Sequence, residues 1–219
     1  MKHRRSLQLE LRPKGHGGVR EGAGRKKVRG SGVPHLRRPA LAARHPVHVT
    51  MKVRAGLPSL RGAGSFPVVR SALKAARRRL GIRLVHYSVQ SNHLHLVVEA
   101  ADVFALGQGI KGLAVRLARR LNAHFGTNGV VFPDRFHAHV LRSPSEVRNA
   151  LGYVVHNFAH HLALDGYVIP RGTRDLLSSA AWLTAPPLET APVVAAETWL
   201  LSEGWKRART NEPTRLTSA

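Results

Sequence analysis

A chain of 219 residues with 43% hydrophobic content is long enough to bury one domain-sized core and still carry extensions. Charge is the anomaly: 35 Lys and Arg against 12 Asp and Glu give a formal net charge of +23, which points to a polyanionic partner, nucleic acid first. The lack of cysteine excludes disulfides, thiolate zinc sites and a cysteine nucleophile, and no apolar run or signal-type segment reads as a membrane span, so a cytoplasmic, nucleoid-associated protein is expected.

Residues 1–44 carry many basic side chains, seven glycines and few large apolar groups, the composition of a mostly disordered basic arm. Within it Gly22-Ala23-Gly24-Arg25-Lys26-Lys27 resembles an AT-hook, in which flexible glycine flanks cations able to enter a minor groove; Arg25, Lys26 and Lys27 are candidate DNA contacts, with a plain electrostatic tether as the alternative.

Regular periodicity begins at residue 45, where His45 to Arg54 alternates as a strand. Ser65 to Leu80 reads as a helix with Val69, Ala72, Leu73, Ala76 and Leu80 on one face and Arg70, Lys74 and Arg77 to Arg79 on the other. Ile82 to Gln90 and His93 to Glu99 read as two strands joined by a Ser-Asn turn. A second helix, Val103 to His124, places Ile110, Leu113, Ala114, Leu117 and Leu121 inward and Lys111, Arg116, Arg119 and Arg120 outward. Val130 to Leu141 is extended, with Pro133 making its first part a loop or edge strand. A last helix opens at Ser143-Pro144-Ser145-Glu146, a capping box with proline at its first position, and runs to about Leu162.

Strand, helix, strand, strand, helix, strand and final helix is the order of a ferredoxin-like α+β sandwich with an antiparallel sheet and one added helix, spanning residues 45–169. Residues 170–219 form a C-terminal extension whose three tryptophans need something to pack on.

Two features carry chemistry. Strand side chains alternate faces, so His93 and His95 point the same way while Leu94 and Leu96 enter the core, setting two imidazoles side by side as a divalent metal requires. On the last helix, Val147, Leu151, Val154, Val155, Phe158 and Leu162 make one apolar stripe, and at about 100° per residue Tyr153 lies well off it, with Asn157 one turn further on. A tyrosine off its stripe is free for chemistry, or is simply a surface residue. His86, His137 and His139 read as core histidines or phosphate contacts rather than ligands. Unpaired bases would find Tyr87, Phe132 and Phe136 as stacking surfaces, although core packing is the better reading of both phenylalanines.

These residues resemble the HUH single-tyrosine transposases, and among them the REP-associated tyrosine transposases. Asn92-His93-Leu94-His95-Leu96 is similar to the family's Asn-His-hydrophobic-His-hydrophobic signature. Phe132 to His137 is similar to its Gln-Xaa-Arg-Phe/Tyr segment, and Tyr153-Val154-Val155-His156-Asn157 to its Tyr-Xaa-Xaa-Xaa-Asn-Pro element. The resemblance covers roughly residues 47–166. It implies Mg²⁺ or Mn²⁺ on His93 and His95, with Asn157 as third ligand and His161 as the alternative. It also implies Tyr153 as nucleophile, a 5′-phosphotyrosine intermediate, and nicking and rejoining of single-stranded or hairpin DNA by a monomer or homodimer. The chain departs from the pattern at Phe158, where the family has proline, and at Ala159-His160-His161. Arg77, Arg78, Arg116, Arg119, Arg120 and Arg135 are the candidate DNA contacts outside the arm. A non-catalytic DNA- or RNA-binding module with the same fold is the alternative reading, and a basic structural or ribosome-associated protein a further one.

Overall fold

The computed structural model describes residues 40–79, 81–164, 166, 168, 173–183 and 186–208, the side chains of residues 155–164 excepted. Its elements run β1 (Val47–Lys52), α1 (Ser65–Ala76), β2 (Arg78–Arg79), β3 (Ile82–Val89), β4 (His93–Ala100), α2 (Val103–Phe125), β5 (His137–Val140) and α3 (Pro144–Leu164). A short helix α4 (Trp199–Ser202) and two 3₁₀ turns, Ala180–Trp182 and Gly204–Arg207, follow. The strands form one sheet in the order β2-β3-β4-β1-β5, every pairing antiparallel. Leaving aside the two-residue β2, this is the expected ferredoxin-like α+β sandwich, with α3 as the added helix bearing Tyr153.

The alternation read from β1 and β4 divides the sheet into two chemically different faces. Val47, Val49 and Met51 of β1 and Leu94, Leu96 and Val98 of β4 enter the main core, where they meet Val69, Ala72 and Leu73 of α1 and Ile110, Leu113, Leu117 and Leu121 of α2. On the opposite face α3 packs Val147, Ala150, Leu151 and Val154 against Val85 and Val97, and Leu200 and Leu201 of α4 complete this second cluster. The helix covers only part of that face, and the polar residues His48, Thr50, His93 and His95 occupy the part beside it.

Helix ends follow their caps. Asp102 accepts a hydrogen bond from the Ala105 N–H at the start of α2, and Gly126, at φ 63°, closes it in the left-handed region that glycine adopts without penalty. At α3 the capping box forms as read: the Ser143 N–H donates to Glu146 and the Glu146 N–H donates to Ser143 Oγ. The Arg142 N–H also donates to this carboxylate and, above all other causes, holds it below its ordinary pKa.

One helix is shorter than expected, and one open alternative is decided. Helix α1 stops at Ala76 instead of continuing toward residue 80, because Arg78 and Arg79 pair with β3, Arg78 opposite Arg83 and Arg79 opposite Ile82. The unpaired edge of β3 is satisfied by this hairpin, whose turn passes through Gly81 at φ 79°, where a Cβ would lie 2.9 Å from the Ala105 Cβ. The extended segment 130–141 is a strand only over His137–Val140, and the residues around Pro133 form a loop.

Beyond β2, the rest of the β3 edge is covered by the C-terminal extension. The N–H groups of Ser179 and Val194 donate to the Tyr87 and Leu84 carbonyls, and the Val89 N–H donates to the Leu177 carbonyl. Two buried carboxylates fasten this strap. Glu99 accepts from the Glu197 and Thr198 N–H groups and from Arg83, while Asp175 receives both guanidinium nitrogens of Arg61 at 2.8 and 3.0 Å. Asp175→Ala leaves Arg61 without its buried carboxylate, and urea unfolding should register a loss of about 3 kcal/mol or more. Leu41, within the expected basic arm, is buried in the main core.

Buried His86 lies on β3 just past a register shift and shares a hydrogen bond of 3.1 Å with Ser179 Oγ. Burial pushes its imidazole from an ordinary 6.5 down to about 4. The folded chain therefore resists a proton that the unfolded chain takes up, so stability is held above pH 6.5 and falls as pH drops toward 4. The loss from this one group reaches about 3 kcal/mol at most. Unfolding free energies measured across that range should slope less steeply in His86→Gln than in the natural chain.

Candidate active site

His93 and His95 stand on the same face of β4, and their Nε2 atoms approach to 2.9 Å with the rings nearly perpendicular, at 88°. Each ring is oriented by a second partner. His93 Nδ1 lies 2.7 Å from Asn92 Oδ1, which only accepts, so the hydrogen of His93 sits on Nδ1 and its Nε2 lone pair faces His95. His95 Nδ1 lies 3.2 Å from both Thr50 Oγ and His48 Nε2 on the adjacent strand β1.

The antiparallel register explains this convergence. Thr50 is directly opposite His95 on β1, and His48 comes from two residues further along the same face. On the other side of β1, His139 and His137 of the edge strand β5 lie opposite His48 and Thr50. Burial first, and then the nearby His139 and His137, push the His48 imidazole down to about 4, so it is neutral at pH 7.

Tyr153 reaches this cluster from α3. Its ring centroid lies 5.0 Å from that of His95 and 6.0 Å from that of His48, edge-on in both cases. The side chain is 47% exposed although its neighbours Leu151 and Val154 are buried, as its position off the apolar stripe requires.

The imidazole pair suits a divalent cation. Two adjacent ligands of an octahedral ion with bonds of about 2.1 Å stand about 3.0 Å apart, close to the observed nitrogen separation. Among the described residues no group of three His, Cys, Asp or Glu side chains is placed to hold a metal. The side chains of Asn157 and His161, the candidates for a third ligand, lie outside the described ones.

The candidate DNA-contacting arginines stand apart from the histidines. Arg77 closes α1 and donates to the Ala191 carbonyl, Arg78 is exposed on β2, and Arg116, Arg119 and Arg120 belong to α2. Arg120 also donates to Ser71 Oγ of α1. Helices α1 and α2 pack on the sheet face opposite the His pair, and β2 is the edge strand beside β3. Arg135 lies in the loop before β5, where with Phe132, Phe136 and Lys111 it borders a cavity of about 380 Å³. Arg25, Lys26 and Lys27 lie outside the described residues. His48, Thr50 and the orienting role of Asn92 were missed by sequence reasoning, although the alternation of His48 and Thr50 along β1 carries the signal.

The fold and this cluster together define a ferredoxin-like α+β domain with paired imidazoles and a helix-borne tyrosine on one face of its sheet. The sequence matches no protein-family model and no curated protein. Among solved structures, the chain is similar to a REP-associated tyrosine transposase bound to a REP hairpin. The identity is 16% and the TM-score 0.47, with 59% of this chain and 74% of that one covered. It is also similar to a chain from Deinococcus radiodurans R1 described as a transposase, at 16% identity and a TM-score of 0.39, over 65% of this chain and 96% of that one. Among the described residues no helix is long and apolar enough to cross a membrane.

Proposed function

We propose that the chain is a single-tyrosine DNA transposase that nicks and rejoins single-stranded or hairpin DNA through a covalent Tyr153 intermediate. One observation carries this reading: two imidazoles that converge through Nε2 at 2.9 Å with a half-exposed tyrosine ring 5.0 Å from one of them. A structural tyrosine would not need paired metal-type nitrogens beside it, and a structural His pair would not need an open tyrosine. The motif resemblance supplies the DNA substrate and the polarity of cleavage.

His93 and His95 are the residues that would hold Mg²⁺ or Mn²⁺, with Asn157 or His161 of α3 completing the set. Such an ion, when bound, withdraws charge from the scissile phosphate and aligns it. Tyr153 Oη attacks the phosphorus, forming a tyrosyl–phosphate bond as the bond from phosphorus to the 3′ oxygen breaks. The phenolic proton passes to solvent and the departing 3′ oxygen is protonated, leaving DNA attached through its 5′ phosphate. A 3′-hydroxyl later reverses the displacement, joining the strand and returning tyrosine. Cations on α1, α2 and the N-terminal residues hold the phosphate backbone without reading sequence, so affinity should fall steeply with salt.

Incubating the full chain with Mn²⁺ and a labelled single-stranded hairpin should give an adduct that survives SDS. Hairpin binding with no adduct under any divalent ion would favour the non-catalytic DNA-binding alternative.

A further inference from the structure

We propose that the Thr50 hydroxyl is the positioning group that turns the His95 Nε2 lone pair toward the cation. This rests on the reading of His93 and His95 as a metal pair. Each neutral imidazole has one N–H and one lone pair, so a ring offering Nε2 to a metal must carry its hydrogen on Nδ1 and needs an acceptor there. For His93 that acceptor is Asn92 Oδ1, at 2.7 Å. For His95 two groups stand at 3.2 Å from Nδ1, Thr50 Oγ and His48 Nε2.

The geometry favours the hydroxyl. With the His93 hydrogen fixed on Nδ1 by Asn92, the Nε2 contact of 2.9 Å requires His95 to donate from Nε2, which leaves its Nδ1 an acceptor. Before a cation can take the place of that hydrogen bond, His95 must move its hydrogen to Nδ1, and whatever faces Nδ1 must change from donor to acceptor. A threonine hydroxyl makes that change by rotating about one bond. His48 makes it only by exchanging its own hydrogen between its two nitrogens. Thr50 is held for the purpose by its place on β1 directly opposite His95.

The test is Mn²⁺ binding by the full chain without DNA, followed by electron paramagnetic resonance, in the natural protein, Thr50→Val, Thr50→Ser and His93→Ala. Valine keeps the shape and removes the hydroxyl, and serine restores it. Thr50→Val should bind Mn²⁺ about 10- to 100-fold more weakly, with Thr50→Ser returning to within a few-fold of the natural chain. In parallel, ¹⁵N shifts of His95 with Mg²⁺ should show the hydrogen on Nδ1 in the natural protein and in Thr50→Ser, and a mixture in Thr50→Val. Equal Mn²⁺ affinity in Thr50→Val and the natural chain overturns the assignment to Thr50 while leaving the metal pair in place. Natural protein that binds no Mn²⁺, or that binds it equally after His93→Ala, overturns the metal pair itself and the positioning role with it. A Thr50→Val chain that does not fold leaves the ¹⁵N shifts of the natural protein to decide, where His95 with its hydrogen on Nε2 in the presence of Mg²⁺ contradicts the proposal.

Discussion

Tyr153→Phe should abolish the SDS-resistant DNA adduct, with cleavage reduced on the order of 10⁴-fold or more, while folding and hairpin affinity stay unchanged. The substitution removes one oxygen from a ring that is 47% exposed, and the edge contacts with His95 and His48 belong to the ring itself. No packing is lost, so the melting temperature should move by no more than a degree or two. Phenylalanine cannot form the ester to phosphorus, and no other group is asked to. Undiminished adduct in this variant would mean that the nucleophile is elsewhere.

His93→Ala or His95→Ala should each remove metal-dependent cleavage by about 10³-fold or more while retaining DNA binding, because the candidate phosphate contacts on α1 and α2 belong to helices packed on the other face of the sheet. The two variants should differ in stability. His93 is half-buried, with Asn92 in the turn and His95 among its partners, so its removal opens less buried space than that of His95. His95 is 4% exposed and sits among Thr50, His48 and Tyr153, so its removal opens a small cavity and leaves two polar groups seeking partners. About 1–3 kcal/mol should be lost there and less at His93, which urea unfolding of the two variants would measure.

The parts of this arrangement that depend on local periodicity were legible in the sequence. Alternation along β4 set His93 and His95 on one face, the helical stripe left Tyr153 off it, and Ser143 with Glu146 marked where α3 begins. Long-range pairing was not legible. Nothing local to Arg78 and Arg79 says that they leave the helix, because the reason is the open edge of β3 that they cover. His48 and Thr50 looked like the outward half of an ordinary strand, and only the register of β1 against β4 brings them to His95 Nδ1. The C-terminal extension hid its role in the same way: Asp175 and the Glu197–Thr198 backbone find Arg61 and Glu99 across gaps of about a hundred residues. Of the basic residues, Arg77 appeared to be a solvent-facing helix cation, and one of its guanidinium nitrogens donates to the Ala191 carbonyl of the C-terminal extension.

The proposed function stands or falls on a covalent bond between DNA and Tyr153. Proteolysis of the adduct formed with single-stranded hairpin DNA and Mn²⁺, followed by mass spectrometry, locates that bond directly. The expected product is a nucleotide attached through its 5′ phosphate to the peptide containing Tyr153, together with a released strand ending in a 3′-hydroxyl. Attachment to any other residue, or through a 3′ phosphate, would contradict it.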